Sequence, residues 1–559
     1  YPGARFSIKC ESTGFSEKTS DLPARARIRL KMSANFFDRT YTDRMDHTRI
    51  YGNPVPHRVI VKAEKRYQRF ARKFSFDPES SPVLETREEG FPFEDFGIRT
   101  VREASNIPPE SSGATRSADP TSAASPFDSA DGVVLGTIRM GFGHCRMAIA
   151  LASAAKSLGL TPYWLDLMSF PDTAASKTIR YLEDLYNFGS RISQRSRLFD
   201  KYIWDYVTST AAQRLAFTIE EDSLSRIFAP LYRGLPRDIP FLSTHPWTGH
   251  AAVNAGLENI VTIIPDNFPL AFHIVEGTVH AVQSPSTYMG YRTLHSMGVD
   301  MRLDHCMPAS AIFLAGHYVD HEIVSGIEAD CDSRLRRIRD GETRRFLLTM
   351  GGAGAQVLRF ADIARTCKDA IAGGKVSLFI NMGDHKGRWA DLEKMFREDG
   401  ISWTMHSDWK ETRAFVQEAA ERPVRGVHVF LHDEFWCAVY STNLLMRVCD
   451  VMITKPSELS FYPVPKLFIQ RVGRHEAWGA IRGAEIGDGT IETSSVTGLH
   501  RTLNLLVNDR DMPALYCDRI LRNAKNGVYN GAYEAVKKVR DIRTSHSTTT
   551  TDATRPSRV

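Results

Sequence analysis

Two stretches of this chain share one layout: an apolar strand-like run, a glycine turn, then a helical run. The first reads Val133-Val134-Leu135-Gly136-Thr137-Ile138-Arg139-Met140-Gly141-Phe142-Gly143-His144, and a helical run over 146–158 follows. The second reads Phe346-Leu347-Leu348-Thr349-Met350-Gly351-Gly352-Ala353-Gly354, with a helical run to about residue 367. Glycine lets the backbone turn tightly and approach a ligand closely. Each turn sets bare backbone N–H groups at a helix N-terminus, where partial positive charge gathers. Two such units about 210 residues apart predict two doubly wound α/β domains facing each other across a cleft. That layout suits an anionic nucleotide in one half and an acceptor in the other.

The rest of the pattern agrees. Strand-like runs at 163–167, 240–244, 260–265, 278–284 and 312–316 follow the first unit. Runs at 376–382, 427–432, 451–454 and 467–470 follow the second. Several are short and apolar throughout, as strands buried between two helix layers are. The expected division is an N-terminal extension over 1–104, a linker over 105–131 and Rossmann-like domains over 132–325 and 326–514. A closing helix over 515–544 and a disordered tail over 545–559 complete it.

The 559 residues exceed one ordinary domain. No apolar run approaches the ~18 residues of a membrane span, and no signal-peptide core is visible. Residues 1–35 mix Arg, Lys and Ser with few acids, as a transit peptide or an ordinary basic leader does. The net charge of +5 sits in residues 1–100, which hold 19 Lys and Arg against 14 Asp and Glu. Over 58–73 the chain is basic and partly amphipathic, so a short surface helix is expected there. A basic segment of this kind can touch acidic lipid head groups; nothing resembles a nucleic-acid stripe. The eight cysteines form no CxxC pair and are irregularly spaced. That argues against a zinc site or a disulfide framework and for an intracellular, reducing compartment.

Several polar residues fall at expected strand ends, where ligands bind in such sheets. His144 starts the first helix and is placed to act as a general base or to donate to a phosphate; a plain helix cap is the alternative. Asp266 ends the strand at 260–265, with His273 seven residues later. It would take a proton from a hydroxyl or orient His144; otherwise it caps a turn. The turn at Gly351, Gly352 and Gly354 lacks the Lys-Ser/Thr of a P-loop and reads as a diphosphate contact. Lys455-Pro456-Ser457-Glu458 ends a strand; Lys455 would neutralise a phosphate and Glu458 would accept two ribose hydroxyls. Gly473-Arg474-His475-Glu476 offers a cation, an imidazole and an acid beside a glycine. The helical stretch 181–206 mixes aromatics with arginines, which suits either a membrane interface or packing on the protein's own core.

Taken in order, these pieces resemble the monogalactosyldiacylglycerol synthase and MurG-like glycosyltransferases of GT-B fold, over about 132–505. Gly141-Phe142-Gly143-His144 resembles their GGGH turn. Ser243-Thr244-His245-Pro246 resembles their His-Pro strand end, and Asp266 through His273 to Ser284-Pro285-Ser286 their Asp…His…Pro-Ser stretch. Leu444 to Lys455 resembles their "LM…SDvvITK" segment. Glu458 stands seven residues before Pro465, as their ribose Glu stands before a proline, and His475-Glu476 resembles the Gln-Glu of the donor loop. The resemblance implies an α/β, GT-B-like chain with a nucleotide-sugar site in the C-terminal domain and an acceptor in the N-terminal one. It implies a peripheral membrane enzyme, cytoplasmic or plastid, with a lipid acceptor such as diacylglycerol, an anionic membrane surface as partner, and no metal or other cofactor. His144 and Asp266 would be catalytic. Gly141, Gly143, His245, His273, Gly351, Gly352, Gly354, Lys455, Ser457, Glu458, His475 and Glu476 would bind substrate. The glycine-rich turn between Lys and Glu is shortened here to Pro456-Ser457. A catalytically degenerate binding scaffold and a nucleotide-sugar epimerase are the competing readings.

Overall fold

Strong β-formers in short apolar runs separated by helical periods give two parallel sheets. The computed structural model describes residues 48–88, 96–104, 126–139, 141–195, 212–352, 354, 356–471, 473 and 475–553; over 186–195 and 545–553 it describes the backbone alone. A hairpin of β1 (Arg49–Ile50) and β2 (Asn53–Pro54) leads into helix α1 (His57–Lys73). The N-terminal sheet then contains β3 (Leu84–Glu88), β4 (Arg99–Glu103), β5 (Gly132–Thr137), β6 (Thr161–Asp166), β7 (Phe241–Ser243), β8 (Ile260–Ile263), β9 (Val279–Val282) and β10 (Ile312–Leu314). Its spatial order is β10-β9-β8-β7-β5-β6-β4-β3, parallel except for the antiparallel β3–β4 edge. The C-terminal sheet contains β11 (Arg344–Thr349), β12 (Val376–Gly383), β13 (Thr404–His406), β14 (Gly426–Leu431), β15 (Val451–Thr454) and β16 (Lys466–Phe468). Its order, β13-β14-β12-β11-β15-β16, is parallel throughout.

Two features differ from the sequence expectation. Strands β3 and β4 join the N-terminal sheet through β6, so this part of 1–104 belongs to the first domain. The chain also does not end in one helix over 515–544. Helices Asp511–Lys525 and Gly531–Ala553 close it, and the second continues through the threonine run expected to be disordered. The arginine-aromatic stretch 181–206 starts inside helix Ala174–Arg195; the rest of it lies outside the described residues.

One apolar core runs through both domains. It takes Cys145, Met147 and Leu151 from helix Gly143–Ser157, Val439 and Tyr440 from helix Phe435–Val448, and Ala535 and Val539 from the final helix. Trp164 meets Trp436 edge-on at 4.5 Å, and Phe96 meets Tyr440 at 5.2 Å. The final helix returns across the cleft onto the N-terminal domain. Where it crosses, it pairs with the outgoing segment: His317 N–H donates to Val528 O at 2.7 Å, and Gly531 N–H to His317 O at 2.9 Å. A Cβ at 531 would lie 2.2 Å from Gly316 O, so only glycine fits. No helix among the described residues is long and apolar enough to cross a membrane.

A buried ion pair anchors the C-terminal domain beneath the cleft. Lys466 Nζ lies 2.8 Å from Asp488, both side chains are fully buried, and Tyr529 O–H also donates to Asp488 at 2.8 Å. Breaking such a pair strands a charge. Asp488→Ala should destabilise the fold by about 3–5 kcal/mol, read as a lowered calorimetric midpoint. An unchanged midpoint would show that the pair is not structural.

Candidate active site

In each sheet the strand order reverses at one place, and at that place two loops leave in opposite directions and open a crevice. In the N-terminal sheet the place lies between β5 and β7, at the loops carrying Gly141–His144 and Thr244–His245. In the C-terminal sheet it lies between β11 and β15, at the loops carrying Gly351–Gly354 and Lys455–Glu458. The crevices face each other and merge into a cavity of about 880 Å³. That is the size of pockets that enclose small molecules. Every residue expected above to be catalytic or to bind substrate lines it.

The two glycine turns touch. A Cβ at 352 would lie 3.0 Å from Gly141 Cα and from Phe142 N. Gly141 itself has φ +73°, a left-handed conformation natural to glycine. The Phe142 ring packs across Gly383 and against His385 at 5.7 Å, and His385 Nε2–H donates to Gly351 O at 3.0 Å. His385 also lines the cavity and was missed in the sequence. Its signal was the Gly383-Asp384-His385 turn directly after β12, another strand end.

On the N-terminal side, His144 Nδ1–H donates to Thr244 O at 2.7 Å. A carbonyl only accepts, so this bond fixes the tautomer and leaves Nε2 as the acceptor. Burial holds the imidazolium form of His144 down, only partly offset by that carbonyl. His245 caps helix Pro246–Asn254, its Nδ1 accepting Trp247 N–H at 3.2 Å, and its ring stands 4.8 Å from that of His144. Asp266 accepts from His273 Nε2–H at 3.3 Å. No hydrogen bond joins Asp266 to His144 among the described residues, so His273 orients Asp266, and Thr244 orients His144. Burial pushes the Asp266 carboxyl up, but the His273 hydrogen bond and the nearby His475, His273 and His144 outweigh it and bring it down to about 2. The wall beside these groups is apolar: Leu182, Trp247, Leu270 and Phe272.

On the C-terminal side, Lys455 pairs with Glu476, whose other oxygen accepts Gly473 N–H at 3.1 Å. Both partners of this pair were singled out separately as ligand contacts; here they hold each other. Glu458 opens a short 3-10 turn, Glu458–Phe461, after Ser457. Its carboxylate faces the other domain: a Cβ at Gly143 would lie 3.5 Å from it, and Arg146 Nε lies 4.0 Å away. It is therefore directed at the start of helix Gly143–Ser157 in the facing domain. Arg146 is 2% exposed and donates across the interface to Asn443 and to Val439 O, the latter at 3.2 Å. Over the cavity mouth, Asn267 Nδ2–H donates to Trp478 O at 3.1 Å and Phe268 meets the Trp478 ring at 5.4 Å.

Comparison with known proteins places the chain as follows. Residues 49–293 match a family described as a domain of unknown function, DUF6937, and residues 307–540 match another, DUF6938. No curated protein matches the chain. Among solved structures it is similar to an alpha,alpha-trehalose 6-phosphate synthase from Burkholderia multivorans, at 11% identity over 75% of this chain and 99% of that one, with a TM-score of 0.40. It is similar to a UDP-GlcNAc 2-epimerase from Neisseria meningitidis bound to UDP-GlcNAc, at 11% identity over 73% and 100%, with a TM-score of 0.38. It is also similar to S. aureus MnaA in a co-structure with UDP, at 10% identity over 75% and 97%, with a TM-score of 0.40. At TM-scores below 0.5 these likenesses carry no argument about what this chain binds; the α/β, GT-B-like architecture is read from its own sheets and cleft.

The Asp266 shift has a consequence for stability. An Asp titrates near ~3.9 when unfolded and at about 2 here. A lowered folded value means that the ionised carboxylate stabilises the fold above the unfolded pKa, and that this contribution disappears as pH falls toward 2. Wild type should therefore lose stability between about pH 4 and pH 2 more steeply than Asp266→Asn. Parallel urea-midpoint curves for the two proteins across that window would overturn the assignment.

Proposed function

We propose that this protein transfers a sugar from a nucleotide diphosphate, UDP first among them, to a hydroxyl of an acceptor with an apolar body. The observation that carries the proposal is the single cavity shared by a glycine turn suited to phosphate and a tautomer-fixed, neutral histidine. The diphosphate would lie against the backbone N–H groups of Gly351 and Gly352, in the turn before helix Val357–Thr366 that Gly354 N–H closes on Gly351 O at 2.8 Å. Ser457, Lys455 and His475 border the same half. The acceptor would lie along Leu182, Trp247, Leu270 and Phe272, a wall that favours a lipid such as diacylglycerol.

In the step itself the acceptor oxygen attacks the anomeric carbon and the bond from that carbon to the phosphate oxygen breaks. The hydroxyl proton passes to His144 Nε2, and the electron pair leaves with the diphosphate. Asp266, ionised and nearby, stabilises the imidazolium that forms. The departing charge is met by the glycine turn, by Lys455 once it exchanges Glu476 for phosphate, and by His475. Such electrostatic stabilisation is the largest catalytic term in many enzymes. The finer placement near the monogalactosyldiacylglycerol synthase and MurG-like enzymes rests on the motif order, and the reducing compartment on the irregular cysteine spacing. The described cysteines, all unpaired and buried, agree with the compartment.

One observation favours a second reading. Lys455 is engaged by Glu476, as in a scaffold that binds without turnover. Activity separates the two. UDP should raise the thermal midpoint of wild type, His144→Ala and Asp266→Ala alike. With UDP-hexose and diacylglycerol, either substitution should cut kcat by roughly 10²–10⁴-fold. Near-wild-type rates in both variants would reject the catalytic roles, and a UDP shift without transfer would support the scaffold.

A further inference from the structure

We propose that the outer face of helix α1 docks this protein on an anionic bilayer. The proposal deepens the lipid-acceptor reading, and its test reads docking separately from nucleotide binding.

The helix carries Arg58, Lys62, Lys65, Arg69 and Arg72 at intervals of four, three, four and three residues. At about 100° per residue these five fall within an arc of about 80°, along about 21 Å of helix. All five are exposed. The opposite face, Ile60, Ala63, Tyr67 and Phe70, packs inward, with Ala63 and Phe70 buried. Among the described residues, Arg58, Lys65 and Arg69 have no acid within ion-pairing distance, and Arg72 donates to Gln68 O. Lys62 reaches Glu220 while its side chain stays 70% exposed. The helix has one acid, Glu64, which faces away from the stripe and is held by Arg226 at 2.6 Å. An ordinary solvated helix face mixes the two signs. This one presents a single-sign row on a straight, rigid support, complementary to a plane of negative head groups.

Position supplies the second argument. Helix α1 is bolted to the wall of the cavity at two points. Arg66, on its flank, meets the buried Glu221 at 2.5 Å, and Glu221 accepts from the Trp247 indole, a ring that lines the cavity. At its C-terminal end Phe70 and Phe74 pack on Tyr181 at 6.0 and 6.1 Å, and Lys73 Nζ sits 3.1 Å from the Tyr181 ring centroid. The next residues of that helix, Leu182 and Glu183, line the cavity, and Leu185 is 54% exposed one turn on. The cationic row therefore stands on a helix fixed to the domain that carries the apolar acceptor wall.

The test uses the full chain and vesicle flotation at about 0.1 M salt. Vesicles of phosphatidylcholine with about one third phosphatidylglycerol should carry the wild type, and pure phosphatidylcholine vesicles should not. The quadruple variant Arg58→Gln, Lys65→Gln, Arg69→Gln, Arg72→Gln should lose at least about tenfold in partitioning. It should keep its thermal midpoint and its UDP shift, because none of these side chains touches the core or the cavity. The charge-preserving set Arg58→Lys, Arg69→Lys, Arg72→Lys should float like wild type. Equal flotation on neutral vesicles, no flotation on anionic ones, or unchanged flotation of the quadruple variant would each overturn the proposal. Loss of the UDP shift in wild type would instead count against the nucleotide-sugar reading alone.

Discussion

Backbone touches backbone where the two glycine turns meet, and the geometry of the cleft is referenced to that contact. With 3.0 Å from a hypothetical Cβ at 352 to Gly141 Cα and Phe142 N, no side chain can stand between the lobes there. The contact would be fragile alone. It is held by an apolar core that continues from one lobe into the other, and by a final helix that returns to the first domain. The outgoing and returning segments are hydrogen-bonded to each other at His317, Val528 and Gly531. The loops that carry His144 and the Gly351 turn are therefore set against each other by backbone contact and by the shared core.

Charge in the cavity is arranged in pairs that a ligand can exchange. Lys455 holds Glu476, Asp266 holds His273, and Glu458 approaches Arg146. Burying an unpaired charge is costly, so a site that binds a polyanion needs its cations satisfied while it is empty. Glu476 serves this purpose and is anchored by a backbone N–H from Gly473, which stays when Lys455 leaves. In the N-terminal half, His144 is half-buried and His245 buried, both held neutral, each with one nitrogen committed to the backbone. In the proposed reaction the C-terminal half would trade Glu476 for phosphate and the N-terminal half would take up the proton.

The central strands and both glycine turns were legible because a parallel strand buried on two faces must be apolar along its length. The edges were not. β3 reads Leu-Glu-Thr-Arg-Glu and β4 reads Arg-Thr-Val-Arg-Glu, charged sequences that protect a sheet edge from further pairing and look like surface chain. The three-residue β13, with His406 stacked on Phe430, is too short to show a period. The threonine run at the C-terminus has poor helix propensity, yet it continues a helix nucleated on the core upstream. Within the site, strand-end position identified the residues but not their partners. Asp266 meets His273 because the short 3-10 turn Ala271–His273 brings the ring back, a local geometry that spacing in sequence does not encode.

The shortened turn after β15 explains why the two helix N-termini in the cleft are not equivalent. Only Pro456 and Ser457 separate Lys455 from Glu458, and Ser457 N–H closes back on Lys455 O at 2.9 Å. So tight a reversal carries Glu458 forward, across the gap to Gly143, where helix Gly143–Ser157 begins. The positive end of that helix favours an anion, and the Glu458 carboxylate already supplies one. A second anion arriving there would meet repulsion. Among the described residues, no carboxylate is set against the turn around Gly351, Gly352 and Gly354 in the same way; Lys455 lies beside it, with Cε 3.0 Å from where a Gly351 Cβ would be. In the proposed reaction the diphosphate would therefore lie on the C-terminal lobe, and the hydroxyl that attacks the anomeric carbon would come from the side of His144.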